Sequence, residues 1–269
     1  MTLQRAERLS MIGEGCAFLA LALGFGNHHP WVTLLWSFGD EPMTEIFFAA
    51  LLASFGVGRI VIAIECEKLS AIGGALSLAV ASALFAIMIA TSATDGKTYG
   101  LRWHGVVFAA VSVIAAATFR NLQLSRPNQT LPNIKASWRL MLGGFAILTA
   151  ISAAALLFSG WSVLPWMLSR PSELLIGALL AGLAVEYAYV ALSGDRGACQ
   201  LLLIGMLAYD IIMIGPLLNN WRNVPASFGL DYSMTVAFVI VTALGSIVGL
   251  RLLSDKGLVT HRADLTAST

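Results

Sequence analysis

The chain has 269 residues, of which 58% are hydrophobic and 12% charged, with a formal net charge of +1. A soluble domain carries about 25% charged residues, so a polar surface could not be coated here. A mean hydropathy of +0.80 therefore excludes a soluble fold, and the absence of a basic excess or of an RNA- or DNA-binding signature argues against a nucleic-acid partner. The expected class is an all-α polytopic membrane protein whose first partner is the lipid bilayer.

Arg5 and Arg8 followed by CAFLALALGFG resemble a secretory leader. Glu14 interrupts the approach to the apolar stretch and no small-x-small cleavage site follows, so residues 11–27 are read as a first span. Seven more stretches approach the roughly 20 apolar residues a spanning helix needs: 44–64, 70–92, 103–119, 139–159, 173–193, 198–218 and 232–252. The first and fourth are short. The chain thus divides into a four-helix unit at 1–119, a polar linker at 120–138, a second four-helix unit at 139–252 and a polar tail at 253–269, expected to be disordered.

With an even number of spans both termini lie on one side. That side collects Arg5, Arg8, Lys68, Arg120, Arg126, Lys135, Arg139, Arg196, Arg251, Lys256 and Arg262, against Lys97, Arg102, Arg170 and Arg222 opposite. The basic bias places both termini in the cytoplasm, and a bacterial-type cytoplasmic membrane is expected. Trp31, Trp36, Trp161, Trp166 and Trp221 then gather at the outer boundary, where indole rings favour the headgroup region. The glycosylation tract NQT at 128–130 falls on the cytoplasmic side and is set aside.

The two units repeat one another. WVTLLW at 31–36 aligns with WSVLPW at 161–166, and Glu45 aligns with Glu173. ALLA at 50–53 meets ALLA at 178–181, Ala63 meets Ala191, IMIA at 87–90 meets IMIG at 212–215, and YGLRW at 99–103 meets FGLDY at 228–232. Four spans per unit is an even number, so the two repeats are parallel, related by a pseudo-two-fold axis along the membrane normal. Small residues are expected at helix contacts: the third helix, Ala178 and Gly182 on the sixth, and Gly245 and Gly249 on the eighth, where a homodimer or membrane-protein partner is an alternative to packing within the chain.

Ionisable residues inside a span cost roughly 2.5–3.5 kcal/mol near its centre and need partners or water. At ~1.5 Å per residue from the cytoplasmic helix ends, Glu14 lies about 5 Å deep, Arg59 about 9 Å, Glu186 about 10 Å and Asp210 about 18 Å. Arg59 and Glu186 share a depth on equivalent helices and are expected to pair across the repeats, with an Arg59–Glu14 pair or snorkelling as alternatives. Asp210, beside Tyr209 and six residues before Pro216, is the sharpest candidate for a substrate or proton site. Pro216 frees the carbonyl of Ile212, and Tyr187 and Tyr189 offer hydroxyls.

The remaining chemistry is sparse. His28, His29 and His104 lie at the outer rim without a carboxylate or cysteine spacing that completes a metal site, and His261 belongs to the tail. Cys16, Cys66 and Cys199 are dispersed and read as packing residues. No catalytic motif and no cofactor signature is present, and the last helix lacks a retinal-binding lysine. GDRG at 194–197 resembles the short Gly-Asp-Arg turn of major facilitator halves. The matching turn of the first unit, IECEKLSA, and the eight-span count depart from that family, so no property is carried over.

The reading that follows is a small-solute or proton-coupled permease with a polar cleft at Arg59, Glu186, Asp210, Glu14, Tyr187 and Tyr209. The alternatives are a membrane sensor working through the linker or tail, and an accessory subunit of a larger membrane complex.

Overall fold

The structure, a computed structural model, describes residues 5–31, 42–65, 71–92, 102–124, 134–159, 166, 168–221 and 229–254. The helices are α1 (Arg5–Gly26), α2 (Pro42–Glu65), α3 (Ala71–Ser92), α4 (Arg102–Leu124), α5 (Ala136–Ala154), α6 (Arg170–Ser193), α7 (Arg196–Asn220) and α8 (Gly229–Ser254); α5 is prolonged by a π-helical turn, Ala155–Ser159. Among the described residues these eight helices are long and apolar enough to cross a membrane, and no strand element occurs. The chain is an all-helical bundle of the kind an integral membrane protein forms.

The first and fourth spans are the shortest of the eight, 19 residues each, although the helices that carry them run further, α1 to 22 residues and α4 to 23. Hydropathy marks the part of a helix that lipid covers, whereas backbone bonding continues until a breaker intervenes. Arg8, Arg120 and Asn121 are tolerated in a helix, so α4 runs to Leu124, inside the expected linker. The centre of that linker (125–133), the tail (255–269), Trp36, Trp161 and Cys66 lie outside the described residues.

The GDRG tract is a helix stop followed by a restart. Gly194 takes φ 68°, a left-handed conformation that ends α6, and the Asp195 carboxylate accepts from the backbone N–H of Gly197 (2.8 Å) and Ala198 (3.2 Å) to cap α7.

α2 packs on α1 and on α7, and α7 packs on α8; α3 packs on α4 and on α6, and α6 packs on α5. The molecule is therefore two four-helix bundles, α1/α2/α7/α8 and α3/α4/α5/α6, each drawing two helices from either half of the chain. Backbones come close between them only at α6–α7, α2–α3 and α3–α7, but buried side chains of both bundles share one apolar core, in which Phe48 and Leu51 of α2 cluster with Phe85 of α3, Ile176 of α6 and Met213 of α7. The middle helices are the buried ones: 56% of the span is buried in α2 and in α6, against 28% in α1 and 11% in α4, whose outer faces are left to lipid.

Small residues set the closest approaches, as packing between helices in lipid requires. A Cβ on Gly182 of α6 would stand 2.5 Å from the Ser77 carbonyl of α3, and one on Gly205 of α7 would stand 2.9 Å from Ser54 Oγ of α2. Gly249 is covered within the chain by Trp138 and Leu203, while Gly245 has open space before it.

Basic side chains pin the peripheral helices at both ends. Arg8 Nε donates to the Ala63 carbonyl (2.9 Å), tying α1 to the last turn of α2; Arg139 Nε donates to Ala191 (2.7 Å) and its Nη2 to Leu192 (2.8 Å), tying α5 to the last turn of α6. C-terminal carbonyls attract positive charge, which is why arginine serves here. At the opposite end the His28 ring meets the Glu45 carboxylate. There, too, Arg170 bonds Glu173 (2.9 Å) and the Leu156 and Leu157 carbonyls (2.9 Å each) of the π-turn.

Trp166 departs from the expected aromatic rim. It is buried and packs edge-on against Phe47 at 6.0 Å, whereas Trp31 and Trp221 are exposed.

Candidate functional site

The Arg59 side chain is carried by α2 into the bundle, where 7% of the residue is exposed. Its ion pair is with the exposed Glu14 of the adjoining helix α1, Nε to Oε2 at 3.5 Å, rather than with Glu186. Packing explains the choice: α1 lies directly on α2, with a Cβ on Gly15 only 2.6 Å from Ile60, while α6 belongs to the other bundle. Glu186 remains within electrostatic reach of Arg59. Its side chain lies over the small residues Gly73 and Gly74 of α3 with the Ser77 hydroxyl nearby.

Tyr187 follows on α6. It is buried, its ring stacks on Phe145 of α5 at 5.9 Å, and it stands within electrostatic reach of both Glu186 and Asp210. Tyr209 lies close to Asp210 and packs edge-on against Phe47 at 5.7 Å. Tyr189 covers Gly73 of α3 instead of approaching Asp210.

Asp210 is 2% exposed. Oδ1 accepts from Thr242 Oγ1 of α8 at 2.9 Å, and the buried Oδ2 has no hydrogen-bond partner among the described residues. α7 runs unbroken through Pro216 to Asn220, whose side-chain amide donates to the Pro216 carbonyl (3.1 Å), so the proline removes a donor without ending the helix.

This arrangement serves two protonation states. Thr242 has one hydroxyl proton, and besides Asp210 its oxygen stands 2.9 Å from the Phe238 carbonyl and 3.0 Å from that of Val239. With Asp210 ionised, the hydroxyl donates to the carboxylate. With Asp210 neutral, the acid can donate to Oγ1 while the threonine proton turns to Phe238, so neither state strands the hydroxyl.

The six candidate residues thus fall into two neighbouring groups. Glu14, Arg59 and Glu186 form one, and Asp210, Tyr209 and Tyr187 form the other, with the adjacent Glu186 and Tyr187 as the link. Thr242 and Ser77 were missed by sequence reasoning. Thr242 had a usable signal, because a hydroxyl about 15 Å from the end of its span lies near the depth of Asp210. Ser77 had none, being one small residue among many on α3.

Among the described residues no group of three His, Cys, Asp or Glu side chains could hold a metal. Cys16 is exposed and Cys199 is buried. A shallow recess on the outer face of α4, lined by Ala116, Ala117, Arg120 and Asn121, shares no residue with the acidic cluster. No known protein family, curated protein or solved structure matches the chain.

Proposed function

We propose that the chain is a duplicated four-helix unit acting as a small-solute or proton-coupled permease, with both termini cytoplasmic. The observation that carries this reading is Asp210, buried at mid-span with one oxygen bonded to Thr242 and the other without a partner among the described residues. Such a group costs several kcal/mol in lipid, and an apolar side chain would serve packing better. Its retention in this chain is best accounted for by use.

The duplication is supported by contacts that recur between aligned positions. Arg8 bonds Ala63 and Arg139 bonds Ala191, and these alanines are partners in the sequence alignment. Glu45 and Glu173, also aligned, each engage a basic group at the opposite end. Ser54 and Gly182, at the same offset, are both points of close approach. Exchanging α1–α4 with α5–α8 carries the main packing partners onto one another.

The test is an imposed pH gradient across proteoliposomes containing an internal pH dye, with and without candidate solutes. Wild type should dissipate the gradient, and Asp210→Asn should do so at least about tenfold more slowly while unfolding at a similar temperature. Wild-type vesicles indistinguishable from empty ones under every solute would end the permease reading. An accessory subunit of a larger membrane assembly would then lead, favoured by α4, whose span is only 11% buried.

A further inference from the structure

Helix α1 is fastened to α2 differently along its length. At mid-helix the backbones interlock: a Cβ on Gly15 would stand 2.8 Å from the Gly56 carbonyl, and one on Gly56 would stand 2.9 Å from the Gly15 carbonyl. Arg8 and Glu14 hold the half nearer the termini through Ala63 and Arg59. Toward the other end the fit is looser. A Cβ on Gly26 would meet that of Ala49 at 3.6 Å, an ordinary van der Waals contact, and Phe18 and Phe25 reach Phe55 and Phe48 through their rings. Rings can repack where abutting backbones cannot.

At that looser end α1 is joined to α2 by the ion pair of His28 with Glu45. α1 stops just before it. His28 takes φ 49°, a left-handed conformation, and the backbone N–H groups of His28 and His29 donate back to the Phe25 (3.1 Å) and Gly24 (2.9 Å) carbonyls. This reversal brings the half-exposed His28 ring, through Nδ1, onto the Glu45 carboxylate in the first turn of α2. Roughly 20 Å of helix, at ~1.5 Å per residue, separates the pair from the Gly15–Gly56 contact. The helix thus has a pivot at its middle and a polar fastening at its far end.

The second half fastens the corresponding helices with a different cation. Glu173, which aligns with Glu45, holds Arg170, whose guanidinium also bonds the Leu156 and Leu157 carbonyls at the end of α5. A guanidinium is always charged, whereas an imidazole gains its charge between about pH 5 and 8. Facing a carboxylate, Nδ1 of His28 carries a proton in both states. The pair is a charge-assisted bond with the ring protonated, and an ordinary bond of roughly half that strength with the ring neutral. α2 is the main neighbour of α1, and Glu45 is the acidic residue of its first turn; His29, next in the chain, lies against Trp31 at 6.1 Å. Asp40 and Glu41 lie outside the described residues.

We propose that His28 and Glu45 form a pH-operated latch at the end of the bundle remote from the termini, which holds α1 on α2 while the imidazole is charged and lets that end loosen about the Gly15–Gly56 contact as the pH rises. The sign follows from the cation. The pair is complete above the range in which a carboxyl ionises and below that in which an imidazole loses its proton, and it weakens above the latter. The aligned Arg170–Glu173 fastening stays closed throughout. The latch goes beyond the permease reading and works whether or not the chain carries a solute.

The experiment is hydrogen–deuterium exchange on the full chain in lipid nanodiscs at about pH 5.5 and about pH 8.5, on either side of the imidazole range. Each rate is divided by the intrinsic rate at that pH, which leaves the local opening equilibrium. The amides followed are those of the last turn of α1, with the Glu173 N–H, bonded to the Ser169 carbonyl at 2.9 Å, as the reference in the second half. In wild type the α1 amides should lose protection about two- to fivefold at the higher pH, the range for an exposed ion pair, while the reference keeps its own. His28→Arg should hold the higher protection at both pH values, and Glu45→Gln should give the lower protection at both. His29→Gln should behave as wild type.

Wild-type protection that does not change with pH, or a change that survives in His28→Arg or Glu45→Gln, would overturn the latch. An equal change at the reference amide would do the same, since it would mark a general loosening of the molecule. A change lost in His29→Gln would assign the titration to the neighbouring ring and overturn the role of His28. Should Glu45→Gln fail to fold, His28→Arg alone decides by the same criterion. Silent proteoliposomes would remove the permease reading and leave the latch standing, and a pH-independent α1 would remove the latch and leave the permease.

Discussion

The α3–α4 and α7–α8 contacts occupy corresponding places in the two halves of the chain and are built from opposite materials. Phe85 of α3 is fully buried and meets Phe108 of α4 in a T-shaped contact, ring centroids 4.7 Å apart, with Ser112 bonding the Ala79 carbonyl at 3.0 Å. The offset that aligns IMIA with IMIG puts Asp210 where α3 has Phe85, and α7 meets α8 there through a carboxylate and a threonine. An aromatic pair adds packing energy of a kind that survives any pH. A carboxylate in the same position gives up that packing and faces a desolvation cost. The difference teaches which half is free to be purely structural, and it directs attention to the second half for chemistry.

The contrast can be broken most severely at Phe85. Phe85→Ala should cost about 3–5 kcal/mol, the range for removing a buried phenylalanine, read as a fall in unfolding stability in lipid or mild detergent. If it costs no more than Asp210→Ala, the two contacts are not built for different ends.

The reverse substitution sharpens the same point. Asp210→Leu should be neutral or raise stability by up to about 4 kcal/mol, as when buried ionic groups give way to apolar ones. It should also slow the dissipation of an imposed pH gradient. A destabilised Asp210→Leu protein would mean that the carboxylate is structural.

Thr242→Val keeps the shape of the side chain and deletes the hydroxyl, so that Asp210 Oδ1 loses its described donor and joins Oδ2 in having none. A loss of about 1–3 kcal/mol is expected, with Thr242→Ser close to wild type. Equal stabilities across the three proteins would show that the Asp210–Thr242 bond carries no weight.

The smallest effects belong to the arginines at the helix ends. Arg8→Ala and Arg139→Ala should each cost about 0.5–1.5 kcal/mol, discounted for exposure, and Arg139 should cost more because it bonds two carbonyls against one for Arg8. A chemical unfolding series resolves the ranking, and an inverted order would refute the comparison of the two clamps.

Much of the site was legible because the cost of a charge in lipid is local. Glu14, Arg59, Glu186 and Asp210 could be picked from the chain one at a time, since each stands in an apolar run. Their partners could not. Equal depth favoured Arg59 with Glu186, yet depth is one coordinate of three, and the rotation of α2 turns Arg59 toward Glu14 of α1. Thr242 could be matched to Asp210 by its place along the span, but not by neighbourhood, because that depends on α8 lying on α7. Trp166 matched the rim by composition, and its burial against Phe47 depends on where α2 stands.

What the sequence determined by itself is the membrane class, the eight spans and the place of each charged residue along its span. These follow from transfer free energies that accumulate residue by residue along each helix. The pairing of helices was decided only in the tertiary structure. Lipid is as apolar as the helix surfaces and gives no hydrophobic preference for one neighbour over another, so small differences in close packing select the partners. Here Gly182 against Ser77 and Gly205 against Ser54 select α6 for α3 and α7 for α2. Each bundle is thereby assembled from both halves of the chain, with Glu186 in one and Asp210 in the other.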